Sequence, residues 1–186
     1  MRVLGIAGSL RRGSHNRALL RAAAALLPPG VELEEWRGLA DLPAYDEDLD
    51  AVSVPAPVAG LRRAIAAADA VVIATPEYNS SVPGALKNAL DWASRPWPEH
   101  SLRGKPVCVI GASTGLYGAV WAQAELCKIL NAIGADVVES ELPVGQAHGA
   151  FDGARLADYE LRRRLSESIA VLIERAKAKS PEPAKC

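Results

Sequence analysis

The sequence predicts an α/β fold in which helices cover both faces of one parallel sheet. Short runs of apolar residues alternate with longer segments in which apolar residues recur at helical spacing. Strands that alternate with helices in this way need crossover connections, and these produce a parallel, doubly wound sheet. For a chain of 186 residues, we expect five strands in the order 2-1-3-4-5.

Each element follows from a local pattern. Buried strands are predicted at residues 3–7, 31–36, 70–75, 106–111 and 135–139. Amphipathic spacing predicts helices at residues 16–27, 57–68, 82–94, 119–133 and 154–178. Pro28-Pro29-Gly30 and Ile133-Gly134 are predicted helix stops, because proline and glycine are unfavourable inside a helix.

Composition indicates one domain without nucleic-acid or membrane partners. The chain is 49% hydrophobic, which suffices for a full core, and we expect a single domain over residues 1–178 with a disordered tail at 179–186. The net charge of −1 comes from interspersed charges, which disfavours a nucleic acid or an anionic membrane as partner. The sequence has no segment of transmembrane length and no signal-peptide pattern, and its three cysteines are widely spaced. These features predict a cytoplasmic protein.

The segment Gly8-Ser9-Leu10-Arg11-Arg12-Gly13-Ser14-His15-Asn16 follows the first strand and leads into a helix expected to begin at about Ser14. A helix N-terminus presents unpaired N–H groups, and arginine offers donors that match phosphate oxygens. Neither G-x-G-x-x-G nor the lysine of a Walker loop is present. The segment therefore predicts a site for a terminal monophosphate, the alternative being a solvated surface loop.

The loop after strand 3 reads Pro76-Glu77-Tyr78-Asn79-Ser80-Ser81-Val82-Pro83-Gly84. Its prolines restrict both ends, so that its backbone amides can face the polar edge of a heterocycle while Tyr78 offers a flat ring. Ser80 or Ser81 is expected to cap the helix that follows.

The loop after strand 4 contains Gly111-Ala112-Ser113-Thr114-Gly115, and its glycines allow close approach to a ring or a sugar chain. The same residues match G-x-S-x-G, the nucleophile elbow of serine hydrolases, and His148 follows in a suitable chain order. A hydrolase that uses Ser113 is therefore an alternative, although it gives the first two loops no role. A non-enzymatic electron carrier is a second alternative.

Taken together, these loops resemble the NADPH-dependent FMN reductase family, whose members include flavodoxin-like quinone, azo-dye and chromate reductases. The matching segments are 8–16, 42–49, 76–92 and, more weakly, 111–115. The resemblance implies a flavodoxin-like fold, FMN as cofactor and NADPH or NADH as electron donor. It also implies a small-molecule acceptor (a quinone, flavin, azo dye or metal oxyanion) and a homodimer or homotetramer.

The resemblance further implies which residues bind FMN. The phosphate would be held by Ser9, Arg11, Ser14 and Asn16. The isoalloxazine ring would be lined by Glu77, Tyr78 and Asn79, with Ser113 near the flavin. The implied FMN-binding residues also include Leu10, His15 and Pro76. No catalytic side chain is expected, because the flavin itself accepts hydride and passes electrons on. No metal site is expected either, since the acidic residues at 41–50 are predicted to be a solvated loop and the histidines are scattered.

The chain departs from the family pattern after Gly118. The family often has a second glycine and then an arginine, where this chain has Ala119 and Trp121. This difference affects the approach of the nicotinamide and the pocket for the acceptor. Arg11 and the near-neutral charge also differ from ordinary flavodoxins, which disfavours a pure electron carrier.

Overall fold

The computed structural model describes residues 1–138 and 142–179, and a parallel sheet lies at its centre. The strands of this sheet are β1 (Arg2–Ala7), β2 (Glu32–Trp36), β3 (Ala70–Thr75), β4 (Pro106–Ala112), β5 (Asp136–Val138) and β6 (Pro143–Val144). The order β2-β1-β3-β4-β5 confirms the predicted one. The short β6 pairs in parallel with the end of β4, beyond the part that pairs with β5. Glu139, which was predicted to end the fifth strand, lies outside the described residues.

Helices connect the strands close to the predicted positions. They are α1 (His15–Ala24), α2 (Glu47–Val52), α3 (Ala56–Ala67), α4 (Gly84–Ala93), α5 (Val120–Ile133) and α6 (Tyr159–Lys179). Ser14 is the N-cap of α1, and its hydroxyl accepts a hydrogen bond from the N–H of Arg17 at 3.3 Å. This cap explains why the first helix begins where the sequence predicts.

Two apolar cores lie on opposite faces of the sheet. Because successive side chains of a strand point to opposite faces, Val72 belongs to the core under α1 and α6, whereas Ile73 belongs to the core under α3, α4 and α5. All residues of β3 and β4 are buried. Helices on both faces thus account for the nearly continuous apolar runs of these two strands. The prediction of a buried strand at 31–36 is wrong, because β2 lies at the edge of the sheet and none of its residues is buried.

The segment before the last helix differs from the prediction. Residues 154–158 were predicted to be helical, but a hairpin of β7 (Phe151–Asp152) and β8 (Arg155–Leu156) precedes α6. Gly153 takes a φ of +59° in the turn between them, a conformation that glycine adopts without strain. Lys179 was assigned to the disordered tail, which is wrong, because α6 continues through it. Residues 180–186 lie outside the described residues.

The acidic segment after β2 is also more ordered than predicted. Asp46 caps the short helix α2 by accepting hydrogen bonds from the N–H groups of Asp48 and Leu49, at 2.9 and 3.3 Å. Asp50 forms an ion pair of 2.9 Å with Arg62 of α3. The prediction of a loop is wrong here, because the carboxylates that favour loops also cap helices. The predicted exposure to solvent is confirmed for Asp41, Asp46, Glu47 and Asp48.

The end of α6 is anchored to β5 by the carboxylate of Asp136, which pairs with Arg175 at 2.6 Å and also with Lys179. Hydrogen bonding to Lys179, together with Arg175, lowers the pKa of Asp136. The anchor therefore contributes stability above the pKa of the unfolded carboxyl, and this contribution is lost as pH falls through the lower pKa of the folded state.

We expect Asp136→Asn to lower the free energy of unfolding by about 1–2 kcal/mol at neutral pH, because charge-assisted hydrogen bonds are lost. Urea unfolding at several pH values would measure this difference from the wild type. The difference should shrink steadily in acid, and a difference that is equal at neutral and strongly acidic pH would contradict this account.

Candidate functional site

A cleft of about 260 Å³ opens at the carboxyl edge of the sheet, where the loops after β1, β3 and β4 meet. Ligands of open α/β sheets bind at this edge, where the order of the strands reverses. Nine of the eleven predicted residues line the cleft together with Ala112 and Thr114, namely Ser9, Arg11, Ser14, His15, Asn16, Pro76, Glu77, Tyr78 and Ser113. The remaining two, Leu10 and Asn79, lie on the same loops but are exposed and are not among the lining residues.

The loop after β1 surrounds one end of the cleft with hydrogen-bond donors. The N–H of Gly8 donates to the carbonyl of Ala74 at 2.8 Å, which fixes the start of the loop against β3. The side chains of Ser9 and Ser14 are buried in the cleft wall. The first N–H groups of a helix have no intrahelical acceptor, and α1 begins directly after this loop, at His15. Buried hydroxyls at a helix N-terminus favour an anion.

Arg11 adds a full positive charge to the same end. Its side chain is exposed, and its guanidinium donates a hydrogen bond to the carbonyl of Gly13 at 2.7 Å. Its N–H lies 3.4 Å from the hydroxyl of Ser9, which accepts. The cation is therefore held over its own loop, and a guanidinium retains further donors for a ligand in this position.

Asn16 joins two of the loops. Its Nδ2 donates to the carbonyl of Ala112 at 2.9 Å, and its Oδ1 accepts from the N–H of Ala112 at 3.0 Å. Both hydrogen bonds are buried and connect the start of α1 to the end of β4. The side-chain amide therefore fixes the distance between the two walls of the cleft.

His15 lines the cleft on the same helix turn. Its ring stacks on Phe151, with the centroids 6.4 Å apart and the planes at 4°. Burial lowers the pKa of His15, and the neighbouring charges of Arg11 and His148 lower it further. Both effects favour the uncharged form of the imidazole.

The loop after β3 is a tight hairpin turn. Tyr78 and Ser81 exchange two backbone hydrogen bonds of 3.1 Å, and Asn79 and Ser80 between them have φ values of +53° and +59°. Two successive positive φ values are typical of a type I′ turn. The predicted serine cap is wrong, because α4 begins after Pro83 and no side chain caps it. The ring of Tyr78 is 52% exposed and available to a ligand.

Glu77 connects the loop after β3 to α5. Its Oε2 accepts hydrogen bonds from the N–H groups of Trp121 and Ala122, both at 3.0 Å. The carboxylate thus caps the first turn of α5 by accepting from its N–H groups, at the end of the helix where the dipole favours a negative charge. Sequence reasoning missed this role, because the partners lie 44 and 45 residues away.

The loop after β4 does not form a nucleophile elbow. Ser113 lies outside the positive-φ residues of the described chain, and α5 begins only at Val120, whereas an elbow requires a strained turn directly into a helix. The hydroxyl of Ser113 accepts from the N–H of Gly115 at 3.1 Å. None of the hydrogen bonds found among the described residues joins it to a histidine. The hydrolase alternative therefore lacks both the required turn and a base.

Gly118 holds the far end of this loop against the segment that follows β5. Its φ is +60°, and a Cβ there would lie 2.4 Å from the carbonyl carbon of Pro143 and 2.6 Å from the nitrogen of Val144. The buried Gln123 donates to the carbonyl of Gly118 at 3.1 Å and accepts from the N–H of Leu142 at 3.1 Å. The loop is thus packed backbone to backbone, which was not visible in the sequence.

Comparison with known proteins gives a consistent result. A family model described as NADPH-dependent FMN reductase matches residues 1–149. The chain belongs to this family. Membership in the NADPH-dependent FMN reductase family confirms the resemblance drawn from the loops, and the solved structures agree with the flavodoxin-like topology.

Relatives of this family cover most of the chain. This chain is 42% identical over 174 residues to an NAD(P)H-dependent FMN reductase of Pseudomonas aeruginosa. The aligned region covers 92% of this chain and 93% of the relative. It is also 44% identical over 131 residues to a quinone reductase of Escherichia coli K12, and that aligned region covers 70% of this chain and 69% of the relative. FerB of Paracoccus denitrificans, a flavoenzyme NAD(P)H:acceptor oxidoreductase, superposes with a TM-score of 0.82 at 34% identity over 95% of this chain and 97% of its own.

The departure of this family member after Gly118 has a structural counterpart. Ala119, where the family often has glycine, takes a φ of +63° and is buried. A left-handed backbone conformation favours glycine, so the local conformation agrees with the family pattern although the residue does not.

No helix within residues 1–138 and 142–179 is both long enough and apolar enough to cross a membrane.

Proposed function

We propose that this protein is an FMN-dependent NAD(P)H oxidoreductase that reduces quinones and related small acceptors. The observation that carries the proposal is the cleft itself, which combines two kinds of surface. The loop that contains Arg11 lines the cleft with hydroxyls and a guanidinium, which suit an anion. The loop after β3 lines it with the exposed side chain of Tyr78, which suits a flat ligand. A flavin mononucleotide has a phosphate at one end and a planar ring system at the other.

The donors at the anion end fit a monophosphate. The hydroxyls of Ser9 and Ser14, the first N–H groups of α1 and the guanidinium of Arg11 supply hydrogen bonds without a metal ion. Asn16 acts through Ala112, since both of its polar groups bind that residue. We therefore assign Asn16 a positioning role, and Ser9, Arg11 and Ser14 direct contact with the phosphate.

The loops at the ring end hold a planar ligand in place. The type I′ turn after Tyr78 and the bonds of Glu77 to α5 fix the position of this loop. When bound, FMN supplies the chemistry by taking hydride from the nicotinamide and passing two electrons to the acceptor. The balanced reaction for a quinone is NAD(P)H plus a proton plus quinone, giving NAD(P)⁺ and hydroquinone. The residues of the chain bind and orient the cofactor, and they exclude competing reactions.

The relatives support the same reaction class. The Pseudomonas aeruginosa relative is named as an NAD(P)H-dependent FMN reductase, and the Escherichia coli relative as a quinone reductase.

We further propose one FMN-binding domain over residues 1–178 that acts in the cytoplasm as a homodimer or homotetramer. Sedimentation of the holoprotein would measure the oligomeric state, and a monomer at all concentrations would contradict that part of the proposal.

The proposal is tested by the absorbance spectrum of the purified protein, followed by NAD(P)H oxidation with and without a quinone. We expect flavin absorbance bands, and oxidation that stops when FMN is removed and returns when FMN is added. A pure electron carrier would contain flavin but would not oxidise NAD(P)H. A colourless protein that takes up no FMN would overturn the proposal.

Ser113→Ala separates the reductase from the hydrolase. The hydroxyl makes one neutral hydrogen bond, to the N–H of Gly115, and such a bond contributes about 0.5–1.5 kcal/mol. We therefore expect the variant to oxidise NAD(P)H within about tenfold of the wild-type rate. A fluorophosphonate probe should leave the wild type unlabelled. Stoichiometric labelling of Ser113, together with loss of activity in the alanine variant, would favour the hydrolase instead.

A further inference from the structure

Two aromatic side chains pack against each other on the surface between β4 and α5. The rings of Tyr117 and Trp121 make an edge-to-face contact, with the centroids 5.1 Å apart and the planes at 65°. Tyr117 is nevertheless 62% exposed and Trp121 49% exposed. Single exposed aromatic residues are common on protein surfaces, but a packed pair that remains open to solvent offers a preformed apolar platform. We call it the Tyr117–Trp121 pair.

The pair is fixed at the rim of the cleft. The N–H of Trp121 donates to the carboxylate of Glu77 at 3.0 Å, and Glu77 itself lines the cleft. Gly118, between the two rings in sequence, packs directly on the backbone of Pro143 and Val144. The end of the loop and the first turn of α5, which present the pair, are therefore held in place from both sides.

Charge at this rim favours a neutral ligand. The stretch from Gly111 to Ala124 contains no charged side chain. The carboxylate of Glu77 is directed at two backbone N–H groups of α5. The cation of the cleft, Arg11, belongs to the loop at the phosphate end and is bonded to Gly13. An anionic acceptor such as a metal oxyanion would thus meet aromatic rings and no guanidinium here.

We propose that the Tyr117–Trp121 pair binds the ring system of the electron acceptor and makes planar, uncharged, fused-ring quinones the preferred acceptors. This inference rests on the proposed reductase function and specifies its substrate class. Stacking on an aromatic side chain suits any planar ring. The specificity therefore depends on the two side chains of the Tyr117–Trp121 pair.

The test uses the FMN-loaded protein with Trp121→Ala, Tyr117→Ala and Trp121→Phe. The matched control is Trp97→Ala, because Trp97 is 55% exposed and packs on His100 in the connection that enters β4 from the opposite edge of the sheet. Menadione represents the fused-ring quinones, and ferricyanide represents acceptors that need no stacking. Titration calorimetry of menadione into the oxidised protein, without NAD(P)H, measures binding independently of turnover.

We expect Trp121→Ala and Tyr117→Ala to weaken menadione binding and to raise its KM by roughly three- to tenfold. Trp121→Phe should retain most of the affinity, and Trp97→Ala all of it, while rates with ferricyanide stay unchanged. Equal menadione affinity in the wild type and Trp121→Ala would overturn the inference. Failure of the wild type to reduce either acceptor would overturn the reductase function instead, and the calorimetric comparison would still decide the role of the pair.

Discussion

Replacing Gly118 with alanine should lower the free energy of unfolding by about 2–5 kcal/mol. Alanine at a φ of +60° costs about 1–2 kcal/mol, and forcing apart packed atoms costs about 1–3 kcal/mol more. The atoms in the way belong to the backbone of Pro143 and Val144, which cannot rotate aside as a side chain can. We also expect weaker FMN binding, because the loop would have to move at the wall of the cleft. Chemical denaturation and FMN titration would measure the two effects.

Gly153→Ala is the matched control for this variant. Gly153 has almost the same φ, +59°, but a Cβ there would meet no atom within 4 Å. Its replacement should therefore cost only the backbone term, about 1–2 kcal/mol, and leave FMN binding unchanged. If the two variants lose equal stability, the close packing at Gly118 has no energetic role and the prediction is wrong.

Arg11→Ala should weaken the binding of FMN by about ten- to a hundredfold. A hydrogen bond to a charged group contributes about 1.5–3 kcal/mol, and each 1.4 kcal/mol corresponds to a factor of about ten in affinity. Arg11 is exposed and bonds to the carbonyl of Gly13, so its removal should affect the ligand more than the fold. Quenching of FMN fluorescence on binding measures the dissociation constant.

Two controls identify the phosphate as the partner of Arg11. Riboflavin lacks the phosphate and should bind to the wild type and to Arg11→Ala with the same affinity. Arg12→Ala removes the neighbouring exposed arginine and should change FMN affinity by less than about threefold. An Arg11→Ala protein that binds FMN as tightly as the wild type does would contradict the assignment.

Local patterns were sufficient to predict the architecture. The fully apolar runs that became β3 and β4 predicted buried strands, and Ser14 predicted the start of α1, because both signals depend on neighbouring residues. The same reasoning failed at residues 151–158. There Leu156 was predicted to start the apolar series that continues through Leu161 and Leu165, but the turn at Gly153, between Asp152 and Arg155, produces a hairpin. The prediction followed the longer apolar pattern and did not include this turn.

The loops of the cleft were predictable, but the bonds between them were not. The first loop contained its own signals in the hydroxyls of Ser9 and Ser14 and in Arg11. Glu77 was predicted to face a ligand, yet its carboxylate bonds to the first turn of α5, and Gln123 was not predicted at all. Contacts between residues far apart in the chain depend on the folded arrangement, and a single sequence has no local pattern that reports them.

The bridge between Asn16 and Ala112 has a consequence for how quickly and how tightly a cofactor is captured. It joins segments 96 residues apart with two buried hydrogen bonds made entirely within the protein. These bonds need no ligand, so they set the spacing of the cleft walls before one binds. These loops are already ordered in the folded protein. Binding of a ligand therefore loses little free energy to ordering them. Such preorganisation lets a flavin bind in one diffusional encounter, without waiting for the loops to close around it.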